Sequence, residues 1–286
     1  MRLYTVAHQG KELVCLETAG ERLVPLPYET MNHLLGDDPD HRDRVLQEAA
    51  GQPGSLDLAQ VQVLAPIPSP RQDLICLGMN YQKHKAEAEK FHAQAFTREK
   101  ERAVYFSKRA SRCPGPGAPI PGHFDIVEGL DYEAELAVVL GRDARNVPLE
   151  EAFSYVFGYT VVNDVSARNL QTGHKQFYFG KSLDGFTPMG PCLVTEDEFS
   201  RPPALAIRTW INGELRQDGM TDELIFGIAY VIHELSQGMT LQAGTIIATG
   251  TPAGVGMGFD PPRFLKPGDV VRCEIQGIGV LENTVE

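Results

Sequence analysis

The chain has 286 residues, enough for one large domain or for one large and one small domain. Its formal net charge of −12 argues against nucleic acid or an anionic membrane as the main partner. The five cysteines are scattered and never form a CxxC pair, so we expect neither a zinc ribbon nor a disulfide framework. No stretch resembles a signal peptide or a membrane span, and the expected location is cytoplasmic.

The first 69 residues are predicted to form a small N-terminal domain with its linker. The runs LYTVA, ELVCLE and RLVPL are separated by polar turns and predict a small β-meander. Helix-compatible composition follows over residues 29–50, and the proline-rich segment APIPSPRQ marks a boundary. We therefore expect the main domain to span residues 70–286.

Strand-like runs dominate this main domain, with a few helices between them. A strongly charged stretch after DLICLGMNY predicts a weakly anchored helix. Two further helices are predicted over residues 149–157 and 222–236, the second with Thr221 as its N-cap.

The run DYEAELAVVL carries three acidic residues two positions apart, Asp131, Glu133 and Glu135. Side chains alternate along a strand, so these carboxylates should share one face. Two partly buried carboxylates ~5 Å apart repel each other by roughly 3 kcal/mol, and a proton, an Arg or Lys, or a metal must neutralise them. Oxygen-only ligands favour Mg²⁺, Mn²⁺ or Ca²⁺ over zinc. The alternative is an amphipathic strand with a wet acidic face.

A second run, FGYTVVNDVSARNLQ, is an apolar strand that ends in Asn163 and Asp164. Asp164 is therefore a candidate third ligand. Strand ends and the loops after them commonly present the chemistry of a rigid scaffold, and Arg168 and Gln171 follow within two turns.

His84 and Glu87 stand three apart at the start of the charged stretch and would share one helix face. A carboxylate that orients an imidazole raises its basicity, which would let His84 take a proton from water. The alternative is a chance pair on a solvated helix. Lys181 follows the aromatic run FYF, and its ammonium lies either in a partly apolar pocket or at a surface turn.

Neither of two glycine-containing segments matches a nucleotide-binding motif. The segment GHKQFYFGKS has six residues between its glycines where a Walker A loop has four, and ATGTPAGVGMG lacks the GxGxxG spacing of a dinucleotide site. The second segment still offers backbone amides and the hydroxyls of Thr249 and Thr251 to an anion such as a carboxylate.

Several segments, taken in chain order, resemble the fumarylacetoacetate hydrolase family over about residues 70–285: NYQKHKAEAE, YFSK, LDYEAELAVVLG, GYTVVNDVSARNLQ, FYFGKSLDGFTPMGP and IIATGTPAGVG. Within the family, the chain resembles bacterial fumarylpyruvate or acylpyruvate hydrolases. The resemblance implies a β-rich α+β fold, with a mixed β-roll as the catalytic domain and a small variable N-terminal domain.

The resemblance also implies roles for the candidate residues. A divalent metal, usually Mg²⁺, would be held by Glu133, Glu135 and Asp164, and Asp131 is not a ligand in that pattern. Catalysis would involve the dyad of His84 and Glu87, together with Lys181. Contacts to substrate oxygens are implied for Arg168, Gln171 and Thr251.

By the same resemblance, the chain would be a cytoplasmic, homodimeric, metal-dependent hydrolase of aromatic catabolism. It would cleave a C–C bond in an acylpyruvate or related 1,3-diketo acid through a metal-bound enolate. Two alternatives use the same site, an oxaloacetate-type decarboxylase and a 2-hydroxyhepta-2,4-diene-1,7-dioate-type isomerase. A non-catalytic metal-dependent binding protein is the alternative of a different class.

Overall fold

The computed structural model describes residues 1–82, 84 and 102–286. The strands of this part are β1 (Arg2–His8), β2 (Lys11–Thr18), β3 (Arg22–Pro25), β4 (Leu56–Asp57), β5 (Gln62–Val63), β6 (Leu74–Gly78), β7 (Val104–Lys108), β8 (Leu130–Asp131), β9 (Ala134–Leu140), β10 (Val156–Asn163), β11 (Ser166–Ala167), β12 (Met189–Thr195), β13 (Ala206–Ile211), β14 (Glu214–Met220), β15 (Ile246–Ala248), β16 (Val270–Ile275) and β17 (Gly279–Thr284). The α-helices are α1 (Met31–Leu35), α2 (Pro39–Ala50), α3 (Arg168–Gly173), α4 (Tyr178–Lys181) and α5 (Ile228–Ser236).

The largest sheet has eleven strands in the order β4-β3-β2-β1-β12-β10-β9-β15-β6-β7, with β5 paired to β1 beside this path. The pairing of β15 with β6 is parallel, whereas β9 pairs antiparallel with both of its neighbours. A four-stranded sheet, β14-β13-β16-β17, packs against the large one, and β8 pairs with β11. The predicted β-rich, mixed α+β fold is confirmed.

Strand β9 is buried on both faces. Leu136 and Val138 pack into a core shared with residues of β13 and β16, while Ala137 and Val139 pack into a second core that includes residues of α1 and α2. A strand covered on both faces is apolar nearly throughout, so Glu135 within β9 is the exception.

The N-terminal strands extend the large sheet. As predicted, β1, β2 and β3 form an antiparallel meander, and α1 and α2 follow it. β1 also pairs with β12, with Leu3 opposite Leu193. The division into a small domain over residues 1–69 and a catalytic domain over 70–286 stays a prediction.

Three expected elements differ in detail. The acidic strand is interrupted, because β8 ends at Asp131 and pairs with β11 before β9 begins. Residues 149–157 contain a 3₁₀ helix over Leu149–Tyr155. The last helix begins later than predicted, at Ile228. Thr221 lies instead in a separate 3₁₀ turn, Thr221–Glu223, and its hydroxyl donates to the carbonyl of Pro203.

Candidate active site

The register of β9 and β10 brings three carboxylates together. Val162 lies opposite Glu135, and the Asp164 amide donates a 2.8 Å hydrogen bond to the Glu133 carbonyl. Residues opposite each other in an antiparallel pair share a face. Glu133, Glu135 and Asp164 are therefore buried side by side, and one carboxylate oxygen from each lies within 4.8 Å of the others.

The chemistry of this group fits a divalent cation. Three carboxylates form an all-oxygen donor set of the kind that hard ions prefer. Glu135 Oε2 accepts a 2.8 Å hydrogen bond from the Gly250 amide, and no Lys or Arg of residues 1–82 or 102–286 forms an ion pair with Glu135. Burial, followed by the charges of Asp164 and Glu133, raises the pKa of Glu135 well above its usual range. A bound cation would relieve this repulsion.

Lys181 reaches the same carboxylates from α4. Its Nζ lies 2.6 Å from Glu133 Oε2 and 2.7 Å from Asp164 Oδ2, and 5.3 Å from the centre of the Phe106 ring. Burial acts to lower the pKa of Lys181, but the two carboxylates outweigh it and raise the pKa. Lys181 thus occupies a partly apolar pocket rather than a surface turn.

Arg168 lies on the other side of Glu133, at the start of α3. Its Nη2 is 2.7 Å from Glu133 Oε1, and its Nη1 donates a 3.0 Å hydrogen bond to Gln171 Oε1. Burial acts to raise the pKa of Glu133, but Lys181, Arg168 and His84 outweigh it and hold the pKa below the usual range. The lowered pKa favours the charged form of Glu133, which has a cation beside each of its oxygens.

Asp131 does not join the carboxylate group. Its Oδ1 accepts hydrogen bonds from the amides of Tyr132 and Gly256, and its Oδ2 accepts from the Met257 amide and from Arg168 Nε. Every donor around Asp131 is thus on the protein itself.

Lys108 is a site residue that the sequence did not single out. It ends β7, its side chain is not exposed, and its Nζ lies 2.6 Å from Asp164 Oδ1. Burial lowers its pKa, against the pull of Asp164. The available signal was a lysine at the end of the aromatic run YF, within a segment that carries the family resemblance.

Thr251 lies in the glycine-rich loop, residues 250–258, which follows β15. Its hydroxyl donates to the Ala134 carbonyl at 2.8 Å and accepts a 2.8 Å hydrogen bond from Gln217 Nε2. Gln217, on β14, also accepts from the Ala134 amide and so fastens the loop to the start of β9. Its role could not be read from the sequence, because β14 is distant along the chain.

His84 is buried and close enough to Glu133 to lower the pKa of that carboxyl. Glu87 lies outside the described residues, together with most of the predicted charged helix. The His84–Glu87 dyad therefore stays a prediction.

Comparison with known proteins identifies the family. Residues 73–286 match the family model described as fumarylacetoacetate (FAA) hydrolase, C-terminal. The chain belongs to the fumarylacetoacetate hydrolase family. The resemblance noted from the sequence is confirmed, and the chain is a member of a family of metal-dependent enzymes.

Relatives in the fumarylacetoacetate hydrolase family carry different activities in their names. The oxaloacetate tautomerase YisK of Bacillus subtilis (strain 168) is 46% identical over 228 residues, which cover 80% of this chain and 74% of that protein.

Solved structures of the fumarylacetoacetate hydrolase family superpose over the whole chain. A fumarylacetoacetate hydrolase from psychrophilic Exiguobacterium antarcticum is 38% identical, with a TM-score of 0.81 and coverage of 100% of this chain and 99% of that one. Maleylpyruvate hydrolase from Sphingobium sp. SYK-6, in complex with manganese(II) and pyruvate, is 28% identical, with a TM-score of 0.78 and coverage of 100% and 98%. Among the described helices of this chain, none combines the length and apolar composition needed to cross a bilayer.

Proposed function

We propose that this chain is a divalent-metal-dependent hydrolase that cleaves a C–C bond in an acylpyruvate or a related 1,3-diketo acid. The observation that carries the proposal is the buried group of Glu133, Glu135 and Asp164. The ammonium of Lys181 forms ion pairs with two of these carboxylates, Glu133 and Asp164. Such a group combines ligands for a cation with a positive charge for substrate oxygens.

Mg²⁺ is our first candidate for the metal, with Mn²⁺ and Ca²⁺ also suited to three carboxylates. When bound, the ion would act as a Lewis acid toward adjacent oxygens of a 2-oxo acid. In support, the maleylpyruvate hydrolase that the chain resembles holds manganese(II) and pyruvate.

Lys181 would stabilise negative charge on the substrate. As the C–C bond breaks, its electron pair would move into the pyruvate half, and the buried ammonium of Lys181 would stabilise the oxygen that takes up this charge. The low exposure of Lys181 strengthens this interaction, because water screens it little.

His84 would act as the general base, oriented by Glu87. It would take a proton from water as the water oxygen adds to the distal carbonyl, and the proton would then pass to the carbon of the departing pyruvate half. Arg168, Gln171 and Thr251 would hold the carboxylate and carbonyl oxygens of the substrate. The burial of His84 beside Glu133 supports a place within the same pocket.

Oxaloacetate keto–enol tautomerisation is the second candidate, favoured by the 46% identity to the tautomerase of B. subtilis. This reaction moves one proton between C3 and the enol oxygen and needs no attacking water. The same cationic surroundings would stabilise the enolate, so the two candidates differ in the use of His84 and Glu87.

By the family resemblance, we also propose a cytoplasmic homodimer. The molar mass in solution, measured by light scattering on the full chain, tests the dimer.

A substrate panel tests the function. Purified protein with Mg²⁺ or Mn²⁺ would be given acetylpyruvate, fumarylpyruvate and the enol form of oxaloacetate, and a chelated sample would be the control. Release of acetate or fumarate together with pyruvate supports hydrolysis. Faster loss of the oxaloacetate enol absorbance, without cleavage of either acylpyruvate, would replace the hydrolase with the tautomerase. Metal binding without any turnover would indicate a binding protein.

A further inference from the structure

Asp131 belongs to the acidic DYEAE motif but has no part in the carboxylate group. Its side chain is fully buried, so its oxygens need hydrogen-bond partners within the protein. We propose that Asp131 is a positioning residue. It fixes the guanidinium of Arg168 against the glycine-rich loop and so holds this positive charge beside the carboxylate group before substrate binds. The proposal rests on the proposed function in one respect, the contact of Arg168 with substrate.

Both oxygens of Asp131 accept from the glycine-rich loop, and one of them also accepts from Arg168. Oδ1 accepts from the amides of Tyr132 and Gly256 at 2.9 and 2.6 Å. Oδ2 accepts from the Met257 amide at 3.0 Å and from Arg168 Nε at 2.9 Å, with Arg168 Nη2 at 2.8 Å. A single carboxylate therefore joins the loop to the guanidinium.

The guanidinium is held on three sides. Asp131 takes Nε and Nη2, Gln171 takes Nη1, and Nη2 also approaches Glu133 Oε1 at 2.7 Å. The fork of an arginine fixes direction as well as charge when several acceptors engage it. Without Asp131, only Gln171 and Glu133 of these three would hold the guanidinium, and Nε would lose its acceptor.

The loop sits against the same carboxylate. A Cβ atom built on Gly256 would lie 2.7 Å from Asp131 Oδ1 and 2.6 Å from the Arg263 carbonyl oxygen. Glycine is therefore required here for the backbone to approach the carboxylate closely. Gly256→Ala would disturb the contact from the loop side while leaving every charge in place.

Asp131→Asn disturbs the contact from the other side. An asparagine side chain offers one acceptor oxygen and one NH₂ donor. In either orientation the NH₂ group faces donors, so either the amides of Tyr132 and Gly256, or the Met257 amide together with Arg168, lose their acceptor. The charge that draws the guanidinium is lost in both cases.

Oxalate, a two-carboxylate probe that needs no turnover, provides the test. Its binding to the full chain loaded with Mn²⁺ would be measured by calorimetry, and Mn²⁺ binding alone would be measured separately. We expect Asp131→Asn to weaken oxalate binding by roughly 10-fold, the size of one charge-assisted contact, with Mn²⁺ affinity within about 2-fold of the starting protein.

A double-mutant cycle shows whether the effect passes through Arg168. Arg168→Lys keeps the charge but cannot present the fork. In that background, Asp131→Asn should cost less than about 3-fold in oxalate affinity, because the group it orients is already gone. Gly256→Ala should reproduce the loss of oxalate affinity, and it decides the matter if Asp131→Asn does not fold.

Asp218→Asn is the matched control. Asp218 also accepts from an arginine, Arg208, at 2.8 Å, but this pair is exposed on β13 and β14. The Asp218→Asn variant should therefore bind oxalate as the starting protein does.

The proposal would be overturned if Asp131→Asn lowered oxalate affinity equally with and without Arg168→Lys. It would also be overturned if Asp131→Asn lowered Mn²⁺ affinity and oxalate affinity in parallel. Unchanged oxalate binding in both Asp131→Asn and Gly256→Ala, or a starting protein that binds no oxalate beside Mn²⁺, would do the same. A cycle that behaves as expected in a protein that cleaves no acylpyruvate would reject the hydrolase and leave the role of Asp131 standing.

Discussion

The ammonium of Lys108 lies 2.6 Å from Asp164 Oδ1, and neither side chain is exposed. Lys181 lies 2.7 Å from the other oxygen of the same carboxylate. Asp164 is thus held between two buried ammonium groups, one beside each of its oxygens. Lys108 comes from β7 at the edge of the large sheet, so the edge strand contributes directly to the site.

Replacing Lys108 with Met should destabilise the metal-free protein by about 3 kcal/mol, because a buried charge loses one partner. The carbonyl of Val165, which accepts from Nζ at 3.0 Å, also loses its donor. Saturating Mg²⁺ should restore part of the loss, since the ion supplies positive charge to Asp164. Urea unfolding with and without Mg²⁺ measures both effects, and an identical loss in the two conditions would contradict the expected compensation.

Glu133→Gln should destabilise the metal-free protein, whereas Glu135→Gln should not. Glu133 pairs with Lys181 and Arg168, and its loss should cost about 2 to 3 kcal/mol. Glu135 repels its neighbours, so its neutral replacement should leave stability unchanged or raise it.

Both replacements should weaken Mg²⁺ and Mn²⁺ binding by more than the roughly 10- to 100-fold that outer partners of a metal site control. Thermal unfolding and metal calorimetry on the two matched variants measure the predicted pattern. Equal destabilisation by both replacements would show that Glu135 is ionised and favourably paired without metal.

The pH dependence of stability should reflect the pKa shifts of Glu133 and Glu135. The pKa of Glu133 is lowered in the folded protein, so its contribution is present above the unfolded pKa of about 4.3 and is lost on acidification below it. The pKa of Glu135 is raised, so its contribution is present below about 4.3 and is lost as the pH rises through the folded pKa.

Glu135→Gln should therefore gain stability over the metal-free starting protein as the pH rises above about 4.3. Unfolding curves for both proteins across this range measure the difference. A difference that stays constant with pH would show that Glu135 has an ordinary pKa.

His84→Ala should lower hydrolytic turnover by about 100-fold or more while Mg²⁺ affinity changes little, since a general base contributes 10²- to 10⁴-fold. Glu87→Gln should act in the same direction with a smaller effect. Steady-state rates and metal calorimetry separate the two quantities. Equal loss of turnover and metal affinity would reject this division of labour, and full retention of C–C cleavage in His84→Ala would show that His84 is not the base.

The period-two spacing of Glu133 and Glu135 was enough to predict that their carboxylates share a face, because alternation is intrinsic to a strand. Asp164 was also placed correctly in the group, since it ends the neighbouring apolar strand. Asp131 fits the same spacing but does not join the group, and the strand is interrupted there, because β8 ends at Asp131 and β9 begins only at Ala134. Period alone cannot reveal such a break.

Lys108 and Gln217 could not be found from local pattern. Lys108 meets Asp164 through the pairing of β7 with β6, and Gln217 meets Ala134 through the packing of the four-stranded sheet. These contacts join residues far apart along the chain, and nothing in the local sequence specifies which partner a buried polar side chain will find. The prediction that Thr221 is the N-cap of the last helix was wrong for a related reason, because its hydroxyl donates to the carbonyl of Pro203 instead.

The antiparallel contact between β1 and β12 has a practical consequence for any attempt to shorten the protein. A truncated chain beginning near residue 70 would leave one side of β12 without its neighbour, exposing a row of unsatisfied amides and carbonyls beside apolar residues such as Leu193. Uncovered sheet edges recruit other chains, so we expect such a fragment to self-associate and precipitate rather than behave as an independent catalytic unit.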